Sequence, residues 1–307
     1  MLVVDHVRRS FGSVQAVRDV SLSGLRGSVH GLLGPNGAGK TTTMRMILGI
    51  YPPDAGSIAW MGRSIDRKVR RTFGYLPEER GLYGKMRVLE QIVYFGRLHG
   101  LAYADARKRA ERWIETLGLE QYANRACSEL SKGNQQKVQM ACAVLHDPEL
   151  LVLDEPFAGL DPVNAAVMLE CIHRIAGNGA AVLLSSHQMW QIEHACSAFT
   201  IIVAGEVRAE GTLDQLRLAF PKRKVRVSPD LPGIRAAFER HGAPAPLTNG
   251  SAGGAALAYE LPSTTDFGAL LREAVASGPV ESFQREEPSL NEIYVDLLKR
   301  SSADMTV

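Results

Sequence analysis

The stretch Gly34-Pro-Asn-Gly-Ala-Gly-Lys40-Thr41 decides the reading of this chain, because it fits the pattern G-x-x-x-x-G-K-[ST]. The apolar run before it, Val29-His-Gly-Leu-Leu33, predicts a short buried strand, and Thr41-Thr-Thr-Met-Arg-Met-Ile-Leu48 predicts a helix. Strand, glycine-rich loop and helix together are the setting in which such a loop cradles a triphosphate. Gly34, Gly37 and Gly39, with Pro35, Asn36 and Ala38 between them, let the backbone turn tightly and aim its N–H groups at phosphate oxygens. The helix N-terminus adds unsatisfied donors and the positive end of its dipole. Lys40 is expected to reach the β- and γ-phosphates. The Thr41 hydroxyl is expected to hold Mg²⁺, with Thr42 beside it on the nucleotide.

A second acidic site complements this loop. Leu150-Leu-Val-Leu153 reads as a buried strand that ends in Asp154-Glu155. Parallel strands are apolar throughout, and their carboxyl ends carry ligands. Asp154 is therefore the candidate to hold Mg²⁺, and Glu155 the candidate to orient or deprotonate the attacking water. Solvated acids merely closing a strand would not explain their place after four apolar residues in a chain with a phosphate loop. A third apolar run, Ala180 to Leu184, ends in Ser185-Ser186-His187, which puts His187 within reach of a γ-phosphate.

Size and composition set limits. The 307 residues allow a large domain and a small one. A hydrophobic fraction of 45% with 22% charged residues is that of a globular chain, and a net charge of +2 gives no sign of a nucleic-acid partner. Cys127, Cys142, Cys171 and Cys196 show no metal-ligand spacing and read as buried thiols of a reducing compartment. The opening residues lack the order of a signal peptide, and no apolar run approaches the ~20 residues that span a bilayer. The expected location is cytoplasmic, and any role at a membrane would come through a partner.

Between the two nucleotide elements lies Leu130-Ser131-Lys132-Gly133-Asn134-Gln135. It resembles the signature Leu-Ser-Gly-Gly-Gln of ATP-binding cassette proteins, with Lys132 in place of the first glycine and Asn134 as an insertion-like departure before Gln135. A serine and free backbone donors at a helix start form an anion site. Further motifs follow in the family's order. Gly159-Leu-Asp161-Pro162 is similar to the loop that crosses between subunits, and Ser186-His187 falls at the switch histidine. Phe11-Gly12 resembles the aromatic that stacks on adenine, with Val17 as its apolar neighbour. Glu78, in Gly74-Tyr-Leu-Pro-Glu78, stands where most members carry a glutamine that serves Mg²⁺ or water. Together with the Leu-Ser-Lys-Gly signature, it looks like the branch of sodium and drug exporters.

Residues from about Arg87 to Asn124 predict helices, with Ala106, Ala110, Trp113, Ile114 and Leu117 on one face and a solvated charge run on the other. The resemblance implies that this helical part, about residues 87–146, carries the signature helix. It also implies that Glu78 to Met86 and the helix near Val88 to Phe95 meet a membrane subunit. Pro221-Lys-Arg-Lys224 reads as a boundary. Beyond it, 224–227 and 257–261 predict strands, 234–241 and 267–276 helices, and 244–256 a loop. Ser289-Leu-Asn-Glu292 predicts a capping box opening a last helix to about Arg300. A regulatory or dimer-stabilising role for this part is the expectation.

The expected fold is thus α/β: a P-loop NTPase cassette with an inserted helical subdomain over 1–220, then a small α+β domain over 221–307. The resemblance implies an ATPase subunit that binds ATP and Mg²⁺ in a head-to-tail dimer, a homodimer by expectation. Ser131, Gly133, Gln135 and Asp161 of one copy would approach the nucleotide of the other, and a separate transmembrane permease would be driven. Two rivals remain at this point: a soluble cassette ATPase, for example in Fe–S assembly, and a binding-only regulatory module. One cassette without sustained heptads argues against translation and repair types, and an intact Glu155 and His187 argue against a silent module.

Overall fold

An antiparallel ribbon opens the chain, β1 (Leu2–Phe11) and β2 (Val14–Gly24), paired from Leu2↔Gly24 to Phe11↔Val14. Leu2, Val4 and Val7 of one strand and Val17, Val20 and Leu22 of the other are buried, as strands with one covered face require. There follow β3 (Val29–Leu33), α1 (Lys40–Ile47), β4 (Ala55–Trp60), β5 (Arg63–Ser64), the short α2 (Arg67–Arg70) and β6 (Phe73–Leu76). The helical insert consists of α3 (Val88–Leu98), α4 (Tyr103–Thr116) and α5 (Lys132–Val144). The chain then returns to β7 (Leu150–Asp154), α6 (Pro162–Gly177), β8 (Ala181–Ser185), α7 (Met189–Ala195), β9 (Ala198–Val203) and β10 (Glu206–Gly211). The structure is a computed structural model that describes residues 1–79, 81–187, 189–245 and 257–304.

Among the described residues, ten of these strands form one sheet in the order β5-β4-β1-β2-β10-β9-β3-β8-β7-β6. Strands β3, β8, β7 and β6 run parallel, with Leu32 and Asp154 both opposite Ser185, and Leu76 opposite Leu153. Every residue of β3, β7 and β8 is buried, because parallel strands are covered on both faces. Four adjacent strands pointing the same way deliver four loops to one edge: Gly34 to Lys40, Ser186-His187, Glu155 and Pro77-Glu78. Leu32, Met44, Ile47, Val152, Leu183 and Ile202 pack beneath that edge. Truncating any of them would cost about 2–5 kcal/mol.

In the insert, Ala106, Ala110 and Ile114 are the buried face of α4, as its spacing predicts. Val88 N–H donates to Arg125 O at 3.0 Å, which ties the start of α3 to the segment ahead of the signature. No helix among the described residues is long and apolar enough to cross a membrane.

The chain divides into two units, Met1–Thr212 and Leu213–Val307. The division comes one helix earlier than Pro221, because α8 (Leu213–Ala219) belongs to the second unit, where Arg217 Nε donates to Pro288 O at 3.0 Å. That unit continues through β11 (Lys222–Ser228), α9 (Pro232–Glu239), β12 (Ala243–Ala245), β13 (Leu257–Pro262), α10 (Phe267–Ser277), β14 (Ser282–Glu286) and α11 (Leu290–Asp304). Its sheet has the antiparallel order β12-β13-β11-β14. Val225, Val227, Ile234, Phe238, Tyr259 and Leu270 form the core on one face. On β11, the alternate residues Lys224 and Arg226 pair with Glu292 and Glu286. The capping box forms as predicted: Ser289 N–H donates to Glu292 Oε2 at 3.0 Å, and Glu292 N–H donates to Ser289 Oγ at 3.3 Å. Residues 246–256 of the expected loop lie outside the described residues, and β12 and β14 are additions to the sequence reading.

Candidate functional site

The phosphate loop owes its path to two glycines. A Cβ on Gly34 would stand 2.3 Å from Ile202 O, and one on Gly39 would stand 2.5 Å from Ala16 O. Neither backbone oxygen can give way, so β9 and β2 press the loop into shape from both sides. Gly39 is also the N-cap of α1, with φ 103° and no side-chain cap, so the first turn keeps its donors for a ligand. Lys40 is buried, and its Nζ donates to Gly34 O at 2.7 Å and Pro35 O at 3.1 Å. Burial pushes its ammonium below the ordinary lysine value, while the charges of Glu155, Asp154 and Glu78 work against that shift. Thr43 closes the turn onto Gly39 O at 2.9 Å, and Thr41 and Thr42 are left half-buried.

Asp154 and Glu155 meet the loop from β7. Ser185 Oγ donates to Asp154 Oδ1 at 2.6 Å, and the other oxygen, Oδ2, is buried without a hydrogen bond. An orphaned carboxylate oxygen on Asp154, with the Glu78 carboxylate acting on the same Lys40 and the Thr41 hydroxyl at the start of α1, is a set of hard-oxygen donors whose chemistry suits Mg²⁺. Glu155 takes a left-handed backbone, φ 53°, which is strained for a side chain of this size. Its N–H donates to Ser185 O at 3.0 Å, and Gln136 Nε2 donates to its carbonyl at 3.5 Å, so the bend is held from two elements. His187 Nδ1 lies 2.9 Å from Glu155 Oε2, which makes no aligned hydrogen bond. Sequence reasoning assigned no role to Ser185 or Gln136. Ser185 carried a signal, as the hydroxyl directly across the parallel ladder from Asp154.

The remaining candidates divide. Phe11 stands at the tip of the β1–β2 ribbon, 42% exposed, with its ring edge-to-face against Tyr51 at 5.4 Å. Val17, expected to flank the base, has no exposed surface: it lies under Gly39 and supports the loop from beneath. Ser131 caps α5 by accepting from Asn134 N–H at 3.3 Å. Asn134, read in sequence as an insertion, sits in the first turn of an unbroken helix. Gly133 packs toward Leu160, and Gln135 turns back to donate to Cys127 O at 3.0 Å. Ser131, Gly133 and Gln135 make no hydrogen bond or ion pair to the Lys40 and Asp154 group among the described residues. Asp161 caps α6, accepting from Val163 and Asn164 N–H, both at 3.0 Å. The Asn164 N–H and amide are the main reason its carboxyl lies below the usual range. Gln139, unassigned in sequence, donates from α5 to Glu79 O at 3.2 Å and so holds the loop that carries Glu78.

Comparison with known proteins bears on this site directly. The family profile described as ABC transporter matches residues 17–158, which hold the phosphate loop and both acids. A second profile, described as ATP-binding protein DrrA1-3-like, C-terminal domain, matches residues 211–298. The chain is 40% identical over 296 residues to the uncharacterized ABC transporter ATP-binding protein YhaQ of Bacillus subtilis (strain 168), covering 96% of this chain and 98% of that protein. It is 34% identical over 219 residues to the daunorubicin resistance ATP-binding protein DrrA3 of Streptomyces coeruleorubidus, covering 70% of this chain and 69% of that one. A solved structure of the ATP-binding subunit of an ABC transporter superposes with a TM-score of 0.66 at 34% identity, covering 71% of this chain and 92% of the other. With the loop, the paired acids and a relative matched along nearly its whole length, the chain belongs to the ATP-binding proteins of ABC transporters, the subunits that hydrolyse ATP.

Proposed function

We propose that this subunit works as one of a head-to-tail pair, cleaves ATP at a site completed by its partner copy, and drives a transmembrane permease in the direction of export. One observation carries the catalytic part: Asp154 and Glu155 stand side by side at the end of β7, Asp154 with Oδ2 free of hydrogen bonds and Glu155 with Oε2 met by His187 alone. Lys40, resting on two loop carbonyls, needs only to turn to reach the β- and γ-phosphate oxygens. Thr41, Asp154 and Glu78 would hold Mg²⁺, which supplies charge neutralisation to the phosphates. Glu155 takes the proton of the attacking water or fixes its line of attack, and His187 orients that carboxylate from 2.9 Å.

The pairing is supported by what the chain does not join within itself. Ser131 and the first turn of α5 form an anion site that makes no bond to the chain's own Lys40 group among the described residues. A second copy facing it head to tail would supply the γ-phosphate. Closing such a charged interface requires donors from both sides, and hydrolysis removes the contacts that hold it. Export is supported by the drug-resistance name of DrrA3 and by the DrrA-like second unit.

The test is the Glu155→Gln chain, weighed by light scattering with and without Mg-ATP. A doubling of mass on adding ATP is expected, and a mass that stays monomeric sinks the paired site. Purification from membranes should bring a hydrophobic subunit along. Recovery from the soluble fraction alone, free of any such subunit, would remove transport.

A further inference from the structure

The aromatic at the tip of the first ribbon is packed against two neighbours. Arg9, two residues before Phe11 on the same strand, has its guanidinium carbon 5.0 Å from the Phe11 ring centroid and 5.8 Å from that of Tyr51. Its Nη1 donates to Asp54 Oδ1 at 2.6 Å and to Pro52 O at 3.1 Å. Asp54 in turn accepts from Ser10 N–H through Oδ2 at 2.7 Å, and its own N–H donates to Arg8 O at 2.8 Å. The segment after α1 is thereby clamped to the end of β1, and the clamp closes on the two rings.

The location gives the clamp a use. The ribbon continues from Phe11 through Val14 to Ala16, whose carbonyl presses on Gly39 of the phosphate loop. Tyr51 comes shortly after α1, the helix whose N-terminus faces the phosphates, and its N–H donates to Arg45 O at 3.4 Å. Phe11 therefore lies at the tip of the ribbon that presses on the phosphate loop, with 42% of its surface open. An exposed phenylalanine normally loses rotamer freedom when a ligand stacks on it. Here a cation and an aromatic edge already contact it, which lowers the ordering cost of binding.

We propose that Arg9 is a positioning residue for the purine of the nucleotide: clamped by Asp54 and Pro52, it holds the Phe11 ring in the orientation in which the base stacks. The proposal rests on the reading that Phe11 receives the base. Arginine suits the task and lysine does not, because a planar guanidinium can donate in its plane to Asp54 while its face meets a ring. Phosphate contacts lie with Lys40 and the loop, so the clamp acts on the base alone.

The test separates base from phosphate. Full-length wild-type, Arg9→Met, Arg9→Lys and Asp54→Asn chains are titrated calorimetrically with Mg-ATP and with Mg-tripolyphosphate, which carries no base. Arg9→Met is expected to weaken ATP binding about three- to tenfold and leave tripolyphosphate unchanged. Arg9→Lys and Asp54→Asn should fall between it and the wild type. In turnover, KM should rise with kcat unaltered. Unchanged ATP affinity overturns the proposal, and so does an equal loss for both ligands, which would mean that Arg9 only maintains the fold. Phe11→Ala, and its double variant with Arg9→Met, give the control. The two changes should be non-additive, since both act through one ring. If Phe11→Ala leaves ATP affinity intact while Lys40→Ala abolishes it, the base-stacking reading fails and takes this proposal with it, leaving the phosphate site standing.

Discussion

The Ser185 hydroxyl donates to Asp154 Oδ1 at 2.6 Å and leaves Oδ2 of that carboxylate without a hydrogen bond. The neighbouring strand thus chooses which oxygen is left for a ligand. Ligand-orienting partners of this kind tune affinity without touching the ligand.

Removing that partner should be felt through Mg²⁺. Ser185→Ala is expected to raise the Mg²⁺ concentration for half-maximal ATPase activity about 10- to 100-fold, with little change in maximal rate. A Mg²⁺ titration of turnover at saturating ATP reads the effect, and an unshifted midpoint would show that Asp154 needs no orientation.

Glu155→Gln keeps the size and the bent backbone but removes the carboxylate proposed as the base. Turnover should fall about a hundred- to ten-thousand-fold while ATP affinity stays within a few-fold. Phosphate release under saturating ATP, set beside equilibrium binding, distinguishes this from a binding defect. Wild-type turnover in the variant would take Glu155 out of the mechanism.

Two loop glycines should respond differently to alanine. An added Cβ at Gly39 meets Ala16 O at 2.5 Å with φ 103°, whereas at Gly37, φ 79°, it meets nothing within 4 Å. Gly39→Ala is expected to destabilise the chain by about 3 kcal/mol and to abolish ATP binding. Gly37→Ala should cost about 1–2 kcal/mol, the backbone strain alone. Denaturant unfolding of the pair decides it; equal losses would mean that β2 does not confine the loop.

His30, buried in β3 and hydrogen-bonded to Thr200 Oγ1 at 2.8 Å, should make the fold acid-sensitive. Burial pushes its imidazole from 6.5 down to about 4. In that window the unfolded chain binds a proton that the folded chain refuses, so stability falls as pH drops from 6.5 toward 4. The loss from this one group is up to about 3 kcal/mol. His30→Gln retains a partner for Thr200 and should flatten this part of the pH profile, as read by urea midpoints at neutral and acid pH. A profile identical to the wild type would assign the acid sensitivity elsewhere.

Most of the candidate nucleotide site was legible in the sequence because it is built from contiguous residues. Gly34 to Thr41 is a loop whose turn chemistry is written in its glycines, and Leu150 to Glu155 is a buried strand with its acids at the ligand end. The capping box at Ser289 and Glu292 is equally local. By contrast β14, Ser282–Glu286, has little apolar pattern of its own and exists by pairing with β11. The unit boundary moved ahead of α8 for a similar reason, since Arg217 bonds to Pro288 far along the chain.

The sequence by itself determined the phosphate-loop family of this chain and marked the side chains that are candidates to act on ATP, because the required backbone geometry and charges are specified over a few adjacent residues. Tertiary structure alone decided the rest. Val17 went beneath the loop, Asp154 kept one oxygen free of hydrogen bonds, and Arg9 came to lie against Phe11. Each outcome depends on which strand or helix lies alongside, and that is set by burial and pairing across long stretches of chain, which no local pattern records.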